Sequence, residues 1–169
     1  MRSNHKAFTL VELLIVVTVI GILSGILLNV VDVTKTRGKA RDGVRMANMS
    51  KLVQGIEAYA ISEGNYPTTG GSADITGSFA AGNQQVSATS RLSKYLKAWP
   101  DATPSPAYAY KYALVDSNAN FVLVVKADRI SDTLSCYKYY SADGFLKFCK
   151  DAVRCDSNTG LAGCVKVGN

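Results

Sequence analysis

The sequence predicts an α+β protein in which a long N-terminal α-helix packs on a C-terminal antiparallel sheet of about four strands. Two observations carry this prediction. No proline interrupts the chain before Pro67, and the apolar run in this stretch is followed by a more polar segment that can continue the same helix. Short alternating patterns separated by turn residues then recur in the C-terminal half. We therefore expect three parts: a basic N-terminal segment at residues 1–7, a helix at residues 8–64 and a globular β head at residues 65–169.

The first half of the helix is long and apolar enough in sequence to cross a bilayer. Residues 8–31 form an almost unbroken apolar run, and a helix of that length rises about 36 Å against a hydrocarbon core of ~30 Å. Arg2 and Lys6 precede the run without any acid, which predicts a cytoplasmic N terminus. No small-residue cleavage site typical of a secretory signal follows the run.

Glu12 is the one carboxylate inside this apolar run. An acid within a membrane span is costly and is by default functional, with a cationic partner. The alternative is an uncleaved signal anchor in which Glu12 lies near the cytoplasmic interface and reaches water.

The second half of the helix is amphipathic. Its apolar residues recur every three or four positions, so that one stripe is expected to lie on the sheet. The stripe comprises Met46, Met49, Val53, Ile56 and Ala60. Gly64 stands at a C-cap position and Pro67 cannot continue the helix, which predicts its end there.

The head is predicted to consist of a loop, a short helix and two hairpins. Residues 68–90 are rich in small and polar types and predict a surface loop, and residues 91–98 predict a short helix. Turn residues at 116–119 and 141–144 each separate two strand patterns. The strands are expected at residues 108–115, 121–125, 134–140 and 145–150.

Four cysteines, Cys136, Cys149, Cys155 and Cys164, lie in the last part of the chain. An even number of cysteines on the outer side of a membrane predicts two disulfides, of which three pairings are possible. The second hairpin places Cys136 opposite Cys149, which favours that bond and leaves Cys155 with Cys164. The spacing contains no C-x-x-C pair, so a zinc site is not expected.

The composition excludes several kinds of chemistry. His5 is the only histidine and lies in the N-terminal segment, and no nucleophile elbow, phosphate loop or paired-acid motif is present. We therefore expect no enzyme, no cofactor and no metal. Asp116 and the asparagines after it resemble the start of a calcium loop, but Phe121 stands where that loop needs glycine.

The N-terminal residues resemble those of a type IV prepilin. The similarity rests on a short basic leader, the small residue Ala7, the sequence Phe-Thr-Leu-Val-Glu at residues 8–12, the apolar helix and the Gly-Asn-Tyr-Pro that follows it. The resemblance implies the pilin fold, cleavage between Ala7 and Phe8 by a prepilin peptidase, N-methylation of Phe8, and retention of Glu12 for filament assembly. Ala7 departs from the glycine that is usual before the cut.

The resemblance also implies a location and partners. The precursor would sit in the inner membrane with its N terminus in the cytoplasm. It would assemble with identical or homologous pilin subunits, through a pilus assembly platform, into an extracellular filament. Physically, the amine that cleavage creates on Phe8 can neutralise Glu12 of the same or an adjacent subunit in low dielectric.

Three functions remain open. The first is a structural subunit of a type IV pilus, which the cysteine-rich C-terminal region favours, with adhesion, motility and DNA uptake unresolved. The second is a pseudopilin of a type II secretion system, and some of these hold calcium in a late loop, for which Asp151, Asp156 and Asn158 are the candidates. The third, of another class, is a membrane-anchored adhesive or DNA-binding module. In that module a tyrosine face stacks on bases and Lys111 and Lys138 touch phosphates. The tyrosines are Tyr108, Tyr110 and Tyr112, and packing of this face on the helix is the competing interpretation.

Overall fold

A computed structural model provides the structure of the chain. It describes residues 8–30, 33–70, 74–80, 84–101, 108–128, 135–156, 158, 161 and 163–167, without the side chains of residues 27–30. The chain divides into two compact units, Met1–Thr36 and Arg37–Asn169, and each is considered by itself.

The first unit contains helix α1 (Leu10–Val30). Its large apolar side chains from Leu10 to Ile26 are exposed on every face of the helix, between 47% and 80% of their surface. A helix that is apolar all round needs a partner surface or an apolar solvent. Among the residues that the structure describes, no helix combines the length and apolarity needed to cross a membrane.

Helix α2 (Val33–Glu63) forms the long element of the second unit, and residues 31–32, which separate it from α1, lie outside the described part. Its buried positions recur every three or four residues, as an amphipathic helix requires. They are Gly38, Asp42, Arg45, Met49, Leu52, Gly55, Ile56 and Tyr59. The predicted stripe is therefore right at Met49 and Ile56 but is centred on a slightly different face, because Leu52 and Tyr59 are buried more deeply than Val53 and Ala60.

The helix ends as predicted. Gly64 has a φ of +81°, and its N–H donates to the Ala60 carbonyl at 2.9 Å. Glycine adopts this left-handed conformation without a Cβ penalty, so it closes the last turn at little cost.

The main sheet has five antiparallel strands, each paired with the next one along the chain, which is one strand more than expected. Its strands are β3 (Lys111–Val115), β4 (Asn120–Lys126), β5 (Cys136–Tyr140), β6 (Phe145–Cys149) and β7 (Val165–Lys166). Both predicted hairpins are confirmed, with Tyr112 opposite Leu123 in the first. The fifth strand, β7, was missed because two residues are too few to show an alternating pattern.

The segment before the sheet differs from its prediction in two respects. The expected loop at 68–90 contains a small antiparallel pair, β1 (Ile75–Thr76) with β2 (Gln85–Val86). The expected helix at 91–98 is a 3₁₀ helix over Arg91–Lys94. The Ser93 hydroxyl donates to the Ser90 carbonyl at 2.7 Å, and such local side-chain bonds compete with a regular α-helix.

The middle of the sheet, at β4 and the start of β5, is buried on both faces. One face packs against α2 in a cluster that contains Met49, Leu52, Ile56, Tyr110, Tyr112, Phe121, Leu123, Val125 and Tyr137. The other face carries Val122 and Val124 with Cys136, Cys149 and Cys155. Strand β4 therefore contributes alternate residues to two clusters, which explains its unbroken apolar sequence.

A buried polar network ties α2 to the ends of β4 and β5. Arg45 Nη1 lies 2.6 Å from Asp42 Oδ1, which also accepts the Asp128 N–H at 2.8 Å. The Tyr137 hydroxyl donates to Asp42 Oδ2 at 3.3 Å. Because a buried charge is tolerated only when it is paired, this network fixes the position of α2 on the sheet. The hydrogen bond from Arg41 to Asp128 holds the pKa of that carboxyl below its usual value.

Candidate functional site

The N-terminal end of α1 is organised by a reciprocal pair of side chains, Thr9 and Glu12. Glu12 Oε2 accepts the Thr9 N–H at 2.9 Å and the Thr9 hydroxyl at 2.8 Å. Thr9 Oγ1 in turn lies 3.3 Å from the Glu12 N–H. This is a capping box, in which two N–H groups without partners inside the helix are each satisfied by a side chain. The Thr-x-x-Glu pattern in the sequence predicts the box, although the interpretation above assigned Glu12 only to assembly.

The capping box also places Glu12 close to the predicted new N terminus. The carboxylate is bonded to the amide nitrogen of Thr9, the residue that directly follows Phe8. Phe8 itself is 76% exposed, and Ala7, the other half of the predicted cleavage site, lies outside the described residues. In the uncut chain the Phe8 nitrogen is part of a peptide bond and carries no charge. A cut before Phe8 would turn this nitrogen into a cationic amine one residue before Thr9, and thus close to Glu12.

The cysteines are bonded differently from the expected pairing. The structure joins Cys136 to Cys155 and Cys149 to Cys164, with Cα–Cα distances of 5.7 Å and 4.5 Å. Cys136 and Cys149 do stand opposite each other on β5 and β6, but each bonds to the segment that follows β6. That segment folds back as α3 (Ala152–Asp156) and β7, and the strand pattern contained no sign of this return.

The three aspartates considered for calcium have other partners. Asp156 pairs with Lys111 at 3.0 Å, and Asp151 Oδ1 accepts the Val153 N–H at 2.9 Å. Asp116 accepts from Asn120 Nδ2 at 3.0 Å within the β3–β4 turn. Within the described ranges, no group of three or more His, Cys, Asp or Glu side chains is arranged to hold a metal ion.

Two of the three tyrosines of the tyrosine face pack inside the head, whereas Tyr108 is half-buried. Tyr110 and Tyr112 are 2% and 0% exposed, and the Tyr112 hydroxyl donates to the Pro67 carbonyl at 2.9 Å. Lys138, the second phosphate-binding candidate, is fully buried on the opposite face of the sheet. Burial of this kind keeps these groups from stacking on bases or reaching phosphates, so the structure favours the packing interpretation.

The comparison with protein families identifies the N-terminal region. Residues 2–28 match the model of the prokaryotic N-terminal methylation motif. The chain thus carries the leader signature of type IV pilins and pseudopilins, and the match includes Ala7, Phe8, Thr9 and Glu12. Neither the comparison with curated proteins nor that with solved structures found a match.

Proposed function

We propose that this chain is a structural, non-catalytic subunit of a type IV pilus, assembled through packing of its N-terminal helices after its leader is removed. The observation that carries the proposal is the methylation motif at residues 2–28, whose glutamate is presented beside Phe8 by the capping box. The all-round apolar surface of α1 supports it, because such a surface is expected to be covered by other helices or by lipid.

The precursor is anchored in the inner membrane by the run at residues 8–31, with residues 1–7 in the cytoplasm. A prepilin peptidase cuts after Ala7 and methylates the Phe8 amine. The amine remains cationic after methylation, so it can pair with a Glu12 carboxylate. In low dielectric this pairing is strong, and an unpaired carboxylate is costly.

Charge pairing gives assembly its direction. A Glu12 that is left without a cation in the membrane is satisfied when the Phe8 amine of an adjacent subunit comes beside it. The apolar burial of the helices supplies the attraction between subunits, and the charge pair selects the register in which they pack.

A pseudopilin of a type II secretion system is the second candidate, because the same leader signature occurs in both groups. The two disulfides of the C-terminal region favour the pilus, since they reinforce a head that is exposed outside the cell. Long surface filaments at native expression would support the pilus, and a structure confined to the cell envelope would support the pseudopilin.

Two substitutions separate the charge of Glu12 from its capping role. Glu12→Gln keeps an acceptor for the Thr9 N–H, since glutamine also serves in a capping box, but removes the negative charge. Thr9→Ala breaks the box and leaves the charge. In cells that process and assemble the chain, we expect Glu12→Gln to lower the yield of sheared filaments about tenfold or more, and Thr9→Ala to leave most of it.

The readouts are electron microscopy of sheared filaments and N-terminal sequencing of the mature chain, which is expected to start at methylated Phe8. A mature chain that still starts at Met1 would refute the proposal. Wild-type yield for Glu12→Gln together with loss for Thr9→Ala would show that Glu12 acts only as a helix cap.

A further inference from the structure

Strand β3 stands at one end of the five-stranded sheet. One side of the strand pairs with β4, and the backbone groups on the other side point away from the sheet. Such an edge is a ready template for another strand, and proteins avoid unwanted pairing by covering or charging it.

Gln84 covers the middle of this edge. Its Nε2 donates to the Tyr112 carbonyl at 2.7 Å, and its Oε1 accepts the Tyr112 N–H. One side-chain amide therefore makes both hydrogen bonds that a neighbouring strand would offer to this residue. The Gln84 side chain is 2% exposed, so these bonds are shielded from water.

Trp99 covers the backbone of Tyr110, the residue directly before β3. Its indole Nε1 donates to the Tyr110 carbonyl at 3.0 Å, and the ring packs edge-on against Tyr112, with 6.3 Å between the ring centroids. Trp99 is 5% exposed. Gln84 and Trp99 thus satisfy three backbone groups, two on Tyr112 and one on Tyr110 directly before β3, and alternate residues are the spacing at which a strand would bond.

We propose that the outer edge of β3 is a latent strand-pairing surface for a second copy of this chain, and that Gln84 and Trp99 keep it closed. A second copy is the favoured partner because two identical edges pair antiparallel about a two-fold axis, with Tyr112 facing Tyr112. The sequence Lys-Tyr-Ala-Leu-Val of β3 has the β-branched, aromatic and apolar residues that suit such pairing.

Covering of the β3 edge by Gln84 and Trp99 restricts how copies of the chain associate. With this edge closed, heads do not add to one another's sheets through β3, either in isolation or crowded along a filament, whether or not the chain forms a pilus. Hydrogen bonds from side chains serve this purpose well, because they satisfy the backbone without offering a further edge.

The test opens the edge in the full-length, disulfide-bonded chain in detergent micelles. In the double variant Gln84→Ala and Trp99→Phe, the aromatic ring is kept but the three covering hydrogen bonds are lost. Gln85→Ala is the matched control, because Gln85 is the exposed neighbour of Gln84. The probe is a fluorescent peptide with the sequence of residues 109–116, whose binding is followed by anisotropy, and hydrogen exchange is measured at the Tyr112 amide.

In the double variant we expect the Tyr112 amide to exchange about tenfold faster or more, and the peptide to bind at least about tenfold more tightly than to the wild type. Bound peptide should slow the Tyr112 exchange again. The Gln85→Ala variant should behave as the wild type. Equal exchange and equal peptide binding in the double variant and the wild type would overturn the proposal. Bound peptide that slows hydrogen exchange only at β7, the other edge of the sheet, would overturn it as well.

The Leu123 amide on β4 shows whether the variant still folds. Should that amide also lose its protection, Gln84→Met alone provides the milder test, because methionine has a similar volume, adds no buried charge and leaves Trp99 in place. A Gln84→Met chain that folds and binds the peptide no better than the wild type would equally overturn the proposal.

Discussion

Lys138 lies fully buried on the face of the sheet that α3 contacts. Its Nζ donates to the Arg154 carbonyl at 3.0 Å, near the C-terminal end of that short helix. Burial disfavours the charged form of an amine and lowers the pKa of Lys138 to about 8. An exposed lysine would not titrate in this range.

Lys138 should therefore make the stability of the protein depend on pH. In the unfolded chain its pKa is about 10.4, so between pH 8 and 10 the unfolded state binds more protons than the folded state. The free energy of unfolding should then rise with pH in this window, and Lys138→Met should abolish the rise. Chemical denaturation of the wild type and of Lys138→Met at pH 7.5, 8.5 and 9.5 measures this dependence. The same change of unfolding free energy with pH in both proteins would contradict a lowered pKa of Lys138.

At the scale of residues, local contacts were predictable and distant ones were not. The Thr9–Glu12 box spans three positions and is visible in the sequence as Thr-x-x-Glu. The bond of Asp42 to the Asp128 N–H joins residues 86 positions apart, and only the folded chain brings them together. The pairing of Gln84 with Tyr112 also depends on the course of the whole head.

Among the elements, helix α2 contains two glycines, Gly43 and Gly55, with different surroundings. Gly43 is exposed, and a Cβ added there would meet no atom within 4 Å. Gly55 is buried, and a Cβ there would lie 3.3 Å from Leu96 Cβ and 3.3 Å from the Tyr95 carbonyl oxygen. Gly55 thus permits the segment after the 3₁₀ helix to approach α2 closely, whereas nothing in the structure explains Gly43.

Alanine substitutions should separate these two cases. Gly43→Ala should raise the free energy of unfolding by about 1 kcal/mol, because alanine favours a helix interior by that amount. Gly55→Ala should raise the free energy of unfolding by at least about 1 kcal/mol less than Gly43→Ala does, or lower it, because the new methyl group meets backbone at close range. Chemical denaturation of both variants measures the difference, and equal gains would show that Leu96 and Tyr95 move aside freely.

Elements with a repeated pattern were predictable, and short ones were not. Strands β3 to β6 are largely apolar or aromatic stretches on either side of turn sequences, and α2 has a period of three to four residues ended by Gly64. Strands β1, β2 and β7 have two residues each and owe their existence to the partner strand rather than to their own sequence. For the same reason the return of the chain after β6 was not foreseen.

For the molecule as a whole, the two disulfides decide how the C-terminal segment closes the head. Cys155 on α3 is bonded to β5, and Cys164 beside β7 is bonded to β6. The bridges span 19 and 15 positions of the chain, so their loops overlap. Each is expected to contribute about 2–4 kcal/mol by restricting the unfolded chain, and together they hold α3 over the apolar face that contains Val122 and Val124.

Peptide mapping of the unreduced chain tests this arrangement directly. Cleavage before aspartate gives four peptides with one cysteine each, at residues 132–142, 143–150, 151–155 and 156–169. The structure predicts that the first is linked to the third and the second to the fourth. A link between the first and second peptides would instead support a cross-strand bond between Cys136 and Cys149. In that case α3 would not be bonded to β5, and the burial of Lys138 beneath it, with the rise in stability above pH 8, would lose its structural basis.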